Sequence, residues 1–169
     1  MDENSFRNKS KIGEIACRKA TEYLLAEGYW VHDVELDEEY FSQDIDLLIY
    51  KEELGEQSVE VKGDKYPIKN FFLETIANTT KNTPGCILIT QSDYLFYVFN
   101  NENRLYIFET EKLQLWLRFN YPRLEKRYPE TRGENGEYYY STEGCLAPVN
   151  EVVQALNPII VNLNDYNIQ

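Results

Sequence analysis

The sequence predicts an α/β fold in a single domain, with a central mixed β-sheet flanked by helices. Segments with helical periodicity alternate with short β-rich segments, and two neighbouring strands have the pattern of a hairpin. The length of 169 residues and the hydrophobic content of 43% suit one domain with a packed core. We expect the core at about residues 10–118 and an irregular C-terminal extension over residues 119–169.

The chain begins with a predicted amphipathic helix from Ser10 to about Gly28. Apolar residues recur there at helical spacing, and the glycine is a natural C-terminal stop. A strand over residues 29–36 and a polar connection over residues 37–42 follow. These segments place a helix before the first strands of the sheet.

A β-hairpin is predicted from residues 44–50 and 58–63, because both segments alternate in polarity and the linking segment is polar with a glycine. The period of two places Asp44 and Asp46 on one face of the first strand. Glu60 and Lys62 share a face of the second strand, opposite two valines. A register that keeps the apolar faces together would bring these carboxylates and the ammonium group close to one another.

Further helices and strands are predicted downstream. In chain order they are a helix over 69–81, a buried strand over 86–90, a strand over 94–99, a turn over 100–103, a strand over 104–108, a helix over 111–119, a strand over 137–142 and a helix over 150–156. Residues 120–148 are the least regular part of this pattern.

The acidic residues of the hairpin are candidate metal ligands, since carboxylate oxygens suit a hard cation such as Mg²⁺. Asp46 lies in an apolar strand, where an unpartnered carboxylate is costly to bury; a water-facing edge position is the alternative. Glu60 and Lys62 either belong to a metal site or form a simple ion pair. Asp44 could bind the metal, orient water or cap a turn.

These residues resemble the restriction-endonuclease-like superfamily, whose signature is written PD-(D/E)XK. Asp46 matches its first acid, and Glu60-Val61-Lys62 matches its second element. Glu14, in a Gly-Glu-x-Ala segment, matches an acid that members often have on the first helix. The order helix, strand, hairpin, helix, strand is similar too, and Ile45 replaces the proline of the motif. The resemblance covers roughly residues 10–100.

The resemblance implies a nuclease that hydrolyses phosphodiester bonds, with Mg²⁺ or Mn²⁺ as cofactor. DNA is favoured over RNA as the substrate, and the sequence leaves RNA open. Asp46, Glu60 and the main-chain carbonyl of Val61 would hold the metal, with Asp44 as a further candidate. Asp46, Glu60, Lys62 and Glu14 would form the catalytic set. An ordinary exposed helix glutamate is the alternative for Glu14, because it lies far from the apolar stripe of its helix.

The net charge of −12 opposes the binding of a polyanion if the acidic residues are spread evenly. Basic residues cluster, however, around the hairpin and again between residues 118 and 132. The candidate substrate contacts are Lys65, Lys69, Gln91, Arg123 and Arg127. Ordinary solvated side chains are the alternative for each of them.

Two other functions stay open: a catalytically inactive nuclease-like protein that binds a protein or nucleic-acid partner, and an acidic decoy of nucleic acid. A homodimer stays open as well. Residues 1–11 lack the apolar core of a signal peptide, and no segment is long enough to cross a bilayer. We therefore expect a soluble cytoplasmic protein with no membrane partner. Cys17, Cys86 and Cys145 indicate reduced, buried or indifferent thiols.

Overall fold

Helices and three β-sheets make up the computed structural model, which describes residues 11–133 and 135–168. The elements in chain order are α1 (Lys11–Ala26), β1 (Trp30–Asp33), α2 (Glu38–Phe41), β2 (Leu47–Lys51), β3 (Gly55–Asp64), β4 (Asn70–Asn78), β5 (Thr83–Pro84), α3 (Cys86–Ile89), β6 (Tyr94–Phe99), β7 (Arg104–Glu109), α4 (Thr110–Asn120), β8 (Glu125–Arg127), β9 (Glu130–Arg132), β10 (Tyr138–Ser141), β11 (Glu143–Pro148), α5 (Val149–Leu156) and β12 (Ile159–Asn162).

The larger sheet is mixed and has the strand order β1-β2-β3-β6-β7-β12. Its central strands β3 and β6 are parallel, whereas its other neighbouring strands are antiparallel. A smaller sheet has the order β5-β4-β11-β8, and β9 pairs with β10 as a separate ribbon. The fold is therefore α/β with a central mixed sheet and flanking helices, as the sequence predicts.

Two hydrophobic cores lie on opposite faces of the larger sheet. Successive side chains of β3 point to opposite faces of the sheet. Val59 and Val61 pack against α1, while Glu60 and Lys62 face the smaller sheet. The first core includes Ala16, Ala20, Leu24, Leu47, Ile49, Val59, Val61, Phe96 and Val98. The second includes Phe71, Leu73, Leu95, Tyr97, Phe99, Phe108, Leu113, Leu117 and Cys145. Glu60 and Lys62 thus lie on the face of β3 that is turned away from α1.

The predicted hairpin is confirmed as the antiparallel pair β2 and β3, in which Leu47 lies opposite Val59. This register keeps the apolar residues of both strands in the core beneath α1. The first strand starts later than predicted, at Leu47 instead of Asp44. Asp44 and Asp46 lie in the segment that leads into β2, because Asp44 has a left-handed backbone with φ of 54°.

The helix predicted over residues 69–81 is wrong, since this segment forms β4. Phe71, Leu73 and Thr75 are buried in alternation, which is the period of a strand. The strand predicted over residues 86–90 is also wrong, because Cys86–Ile89 forms one helical turn. The apolar run there was too short to distinguish a buried strand from a helical turn.

Most other predicted elements are confirmed, β6 with the predicted bounds and the others with shifted ends. These are α1, β1, β6, the turn before β7, β7, α4, β10 and α5. The predicted start of the first helix, Ser10, lies outside the described residues. The polar connection over residues 37–42 contains the short helix α2, and β12 was not predicted.

Residues 119–133 and 135–168, which the structure describes, are more regular than the irregular extension expected over residues 119–169. β11 pairs with β4 in the smaller sheet, and β12 pairs with β7 at the edge of the larger sheet. The C-terminal part of the chain therefore contributes strands to both layers. Among the described residues, no helix is long and apolar enough to span a membrane.

Gly63 allows the close contact between β3 and α1 and provides a test of the fold. A Cβ atom at this position would lie 2.6 Å from the Ile12 carbonyl oxygen and 2.9 Å from the Ala16 Cβ. Because helix backbone cannot move without disturbing the core, Gly63→Ala should lower the free energy of unfolding by about 2–3 kcal/mol, measured by urea denaturation.

Gly133→Ala is the control for this substitution. The three described atoms nearest to a Cβ there all belong to the ring and hydroxyl tip of Tyr139, an exposed side chain that can rotate away. An equal loss of stability in both variants would contradict the proposed helix–strand contact.

Candidate active site

Asp46 is fixed by the edge of β3 that β2 leaves uncovered. β2 and β3 pair no further than Leu47 and Val59, and the Asp46 N–H donates to the Val59 carbonyl at 3.0 Å. Asp46 Oδ2 then accepts a hydrogen bond of 2.9 Å from the Val61 N–H. Since the N–H and C=O of a strand residue point to the same edge, the Val61 carbonyl is directed to the same side. Asp46 itself is buried.

Asp44 is held beside Asp46 by a buried hydroxyl group. The Thr90 Oγ1 donates to the Asp44 carbonyl at 2.8 Å, and Thr90 itself is hydrogen-bonded to Ser92. Asp44 Oδ2 is buried without a hydrogen-bond partner among the described residues. Burial, followed by the negative charge of Asp46, raises the pKa of Asp44 to about 6.

Asp44, Glu60 and Cys86 form the candidate metal centre. A carboxylate oxygen of Asp44, a carboxylate oxygen of Glu60 and Cys86 Sγ all lie within 4.8 Å of one another. Glu60 is only 8% exposed, and Cys86 begins the turn α3. Burial raises the pKa of the Cys86 thiol well above its usual value, so the thiol is neutral in the metal-free protein.

Lys62 is the cation of this site. Its Nζ lies 3.3 Å from Glu74 Oε2 on β4. Burial opposes the charged form of Lys62, but the carboxylates of Glu74 and Glu60 raise its pKa above the usual value. Lys62 is therefore a hydrogen-bond donor and a positive charge at neutral pH, and it cannot act as a general base.

The site has an excess of negative charge. Among the described residues, the carboxylates of Asp44, Glu60 and Glu74 interact with the ammonium group of Lys62, and Asp46 adds a fourth carboxylate beside Asp44. The partly buried arrangement and the unpartnered Asp44 oxygen fit a bound divalent cation, which would offset the charge. The oxygen donors fit Mg²⁺ or Mn²⁺, and the Val61 carbonyl is a further candidate ligand because it faces Asp46.

A basic cleft of about 730 Å³ begins at Lys62. Three of the residues predicted to contact substrate line it together with Lys62, namely Lys65, Lys69 and Arg127. Among the described residues, Asp64 is the one carboxylate in this lining, and it accepts a hydrogen bond of 2.7 Å from the Tyr97 hydroxyl. The cleft is thus locally basic despite the acidic composition of the chain.

The other predicted site residues lie elsewhere. Glu14 is exposed in the first turn of α1 and is not a member of the Asp44–Glu60–Cys86 group. Gln91 is exposed, and its backbone N–H donates to the Gln43 carbonyl. Arg123 pairs with Glu151 at 2.6 Å on the surface. None of these three residues lines the basic cleft.

Glu74 and Cys86 are the two site residues that sequence reasoning missed. Glu74 lies on β4, where the consecutive apolar residues 71–73 hide the alternation of a strand, so there was no clear signal for it in the sequence. Cys86 gave no signal either, because a lone cysteine in an apolar run has no motif around it. A second cavity of about 630 Å³, lined by Thr75, Leu88 and Tyr121 among others, contains none of the predicted residues.

Comparison with protein-family models, with curated proteins and with solved structures finds no match for this chain.

The raised pKa of Asp44 predicts a pH-dependent stability in the metal-free protein. Between about pH 4 and pH 6 the folded state binds more protons than the unfolded state, so ionisation of Asp44 lowers stability as the pH rises. In EDTA at pH 8, the free energy of unfolding of Asp44→Asn should be about 2–3 kcal/mol higher than that of the wild type. This difference should vanish towards pH 4. Urea denaturation at both pH values measures it.

Glu52→Gln, at an exposed position of the turn between β2 and β3, is the control and should leave stability unchanged at both pH values. A difference between Asp44→Asn and the wild type that is the same at pH 4 and pH 8 would show that Asp44 titrates normally.

Proposed function

We propose that the protein is a Mg²⁺- or Mn²⁺-dependent nuclease that hydrolyses phosphodiester bonds in DNA. One observation carries the proposal: Lys62 lies beside the buried acidic centre and also lines the basic cleft. A phosphate in this cleft would therefore approach the carboxylates and the ammonium group together. The matching hairpin and the parallel pair β3 and β6 support a restriction-endonuclease-like core as part of this proposal.

The chain's residues divide into two roles. Asp44, Glu60 and the Val61 carbonyl would hold the cation, while Asp46 orders this edge of β3 through its bond to Val61 and adds negative charge. When bound, the cation supplies Lewis-acid stabilisation of phosphoryl charge and a more acidic water. Lys62 donates a hydrogen bond to a phosphoryl oxygen and stabilises its negative charge. Glu14 has no role in this proposal, since it is exposed outside the centre.

The basic cleft provides the surface for the nucleic acid. Lys65 and Lys69 are exposed and can pair with phosphates, and Arg127 adds a third cation. Tyr66 and Tyr128, which are 67% and 54% exposed, lie in the same lining and can stack on bases. The remaining acidic surface would repel DNA and so restrict binding to this cleft.

Cleavage assays on supercoiled, linear and single-stranded DNA with Mg²⁺ or Mn²⁺ test the activity. The wild type should cleave at least one form, and Glu60→Gln should abolish cleavage because a metal ligand is lost. Lys62→Met should lower the rate about 10²–10³-fold, as expected for the loss of a charge-stabilising donor.

Glu56→Gln is the matched control, because Glu56 lies on the same strand but is exposed. Asp46→Asn is preferable to Asp46→Ala, since loss of the acceptor for the buried Val61 N–H would itself cost about 1–3 kcal/mol. If the wild type cleaves neither DNA nor RNA with either metal, the nuclease proposal fails. Metal binding without cleavage would instead support the inactive nuclease-like alternative.

Charge reversal in the cleft tests where the DNA binds. Fluorescence anisotropy in EDTA measures binding without cleavage. Lys65→Glu and Lys69→Glu should each weaken DNA binding, and each lost phosphate contact should reduce the slope of log K against log salt concentration by about 0.7–0.9. A labelled RNA of the same sequence shows which nucleic acid is preferred.

Lys112→Glu provides the control, because Lys112 is exposed, pairs with Glu109 and lies outside the cleft lining. This variant has the same change in net charge. If it weakens binding as much as the two cleft variants, the cleft is not the DNA surface.

A further inference from the structure

Cys86 differs from the other two cysteines in its surroundings. Cys17 and Cys145 are buried members of the two hydrophobic cores, and Cys145 lies 3.9 Å from the Leu73 carbonyl. Cys86 instead has its sulfur within 4.8 Å of carboxylate oxygens of Asp44 and Glu60. A thiol that serves only to fill a core is not expected among carboxylates.

The backbone around Cys86 is fixed by a close contact with β4. A Cβ atom at Gly85 would lie only 2.3 Å from the Glu74 carbonyl oxygen, so only glycine allows this approach. The Gly85 N–H also donates to the Thr75 carbonyl at 2.9 Å. These contacts hold Cys86, the next residue, at the start of α3 and beside the carboxylates.

We propose that the centre binds a borderline divalent cation, Zn²⁺ or Co²⁺, with Cys86 Sγ as a ligand beside the carboxylates of Asp44 and Glu60. This inference rests on the proposed function in one respect, because both place a divalent cation at the same centre. The Asp44 Oδ2 atom is buried without a hydrogen-bond partner among the described residues, so it is available as a ligand. On binding, the S–H bond breaks, a sulfur–metal bond forms and the proton passes to the buffer.

A thiolate ligand changes which metal the centre prefers. Sulfur is a soft donor that favours Zn²⁺ and Co²⁺, whereas Mg²⁺ takes oxygen ligands. Zn²⁺ should therefore displace Mg²⁺ at a much lower concentration and occupy the centre with sulfur coordination. The fourth position of a tetrahedral ion would be left to water or to the Val61 carbonyl.

Co²⁺ titration of the metal-free protein tests this inference by absorption spectroscopy. The wild type should develop a near-ultraviolet thiolate-to-cobalt charge-transfer band that saturates at one ion per chain. Cys86→Ser should lose the band and bind Co²⁺ at least tenfold more weakly, since even the loss of outer partners of metal ligands costs 10–100-fold. Cys17→Ser and Cys145→Ser are matched controls and should keep the band.

A band that persists in Cys86→Ser, or wild-type binding without a band, would overturn the inference. If Cys86→Ser does not fold, zinc X-ray absorption of the wild-type protein decides: one sulfur at about 2.3 Å supports the inference, and oxygen ligands alone overturn it. Both measurements are independent of cleavage. If the protein cleaves with Mg²⁺ but shows no sulfur ligand, the inference about Cys86 fails and the nuclease proposal stands. If the protein binds a sulfur-ligated ion but cleaves with neither Mg²⁺ nor Mn²⁺, the nuclease proposal fails and the inference about Cys86 stands.

Discussion

The uncovered edge of β3 is the constraint on which the site depends. Residues 60–64 continue the strand beyond its last pairing with β2. The Asp46 carboxylate takes the place of the missing strand at the Val61 N–H, and this fixes the segment that presents Asp44. A backbone N–H in such a buried place needs an acceptor, and a carboxylate satisfies it while adding negative charge. The Asp46 side chain therefore both accepts the hydrogen bond of the Val61 N–H and contributes negative charge to the site.

The fold was largely predictable wherever the period of the apolar residues was clear. The hairpin and the pair β6 and β7 have a distinct alternating or apolar pattern between turn residues, and α4 has a helical stripe. β4 was misassigned because Phe71, Phe72 and Leu73 are consecutive and hide the alternation that burial reveals. The one-turn helix α3 has too few residues to show any period. Tertiary packing, rather than local propensity, decides both segments.

The acidic centre was predictable only for residues within one hairpin, whereas the basic clusters of the sequence also indicated Lys65, Lys69 and Arg127 of the cleft. Asp46, Glu60 and Lys62 are close in the sequence, so strand pairing alone brings them together. Glu74 and Cys86 arrive through the crossover between the parallel strands β3 and β6, which no local pattern describes. The net charge of −12 does not predict the basic cleft either, because a net charge does not say where on the surface the basic residues lie.

The parallel pairing of β3 with β6 also bears on the order in which the molecule is built. Parallel strands need a long connection, so their contacts form only after a large loop has closed. Asp44 precedes β2, whereas Cys86 lies within that connection, so the two residues meet only in the completed fold. An ion that needs both would have little affinity for partly folded chains. Because it would bind only the native state, such an ion would stabilise that state relative to partly folded states, and it would do so late in folding.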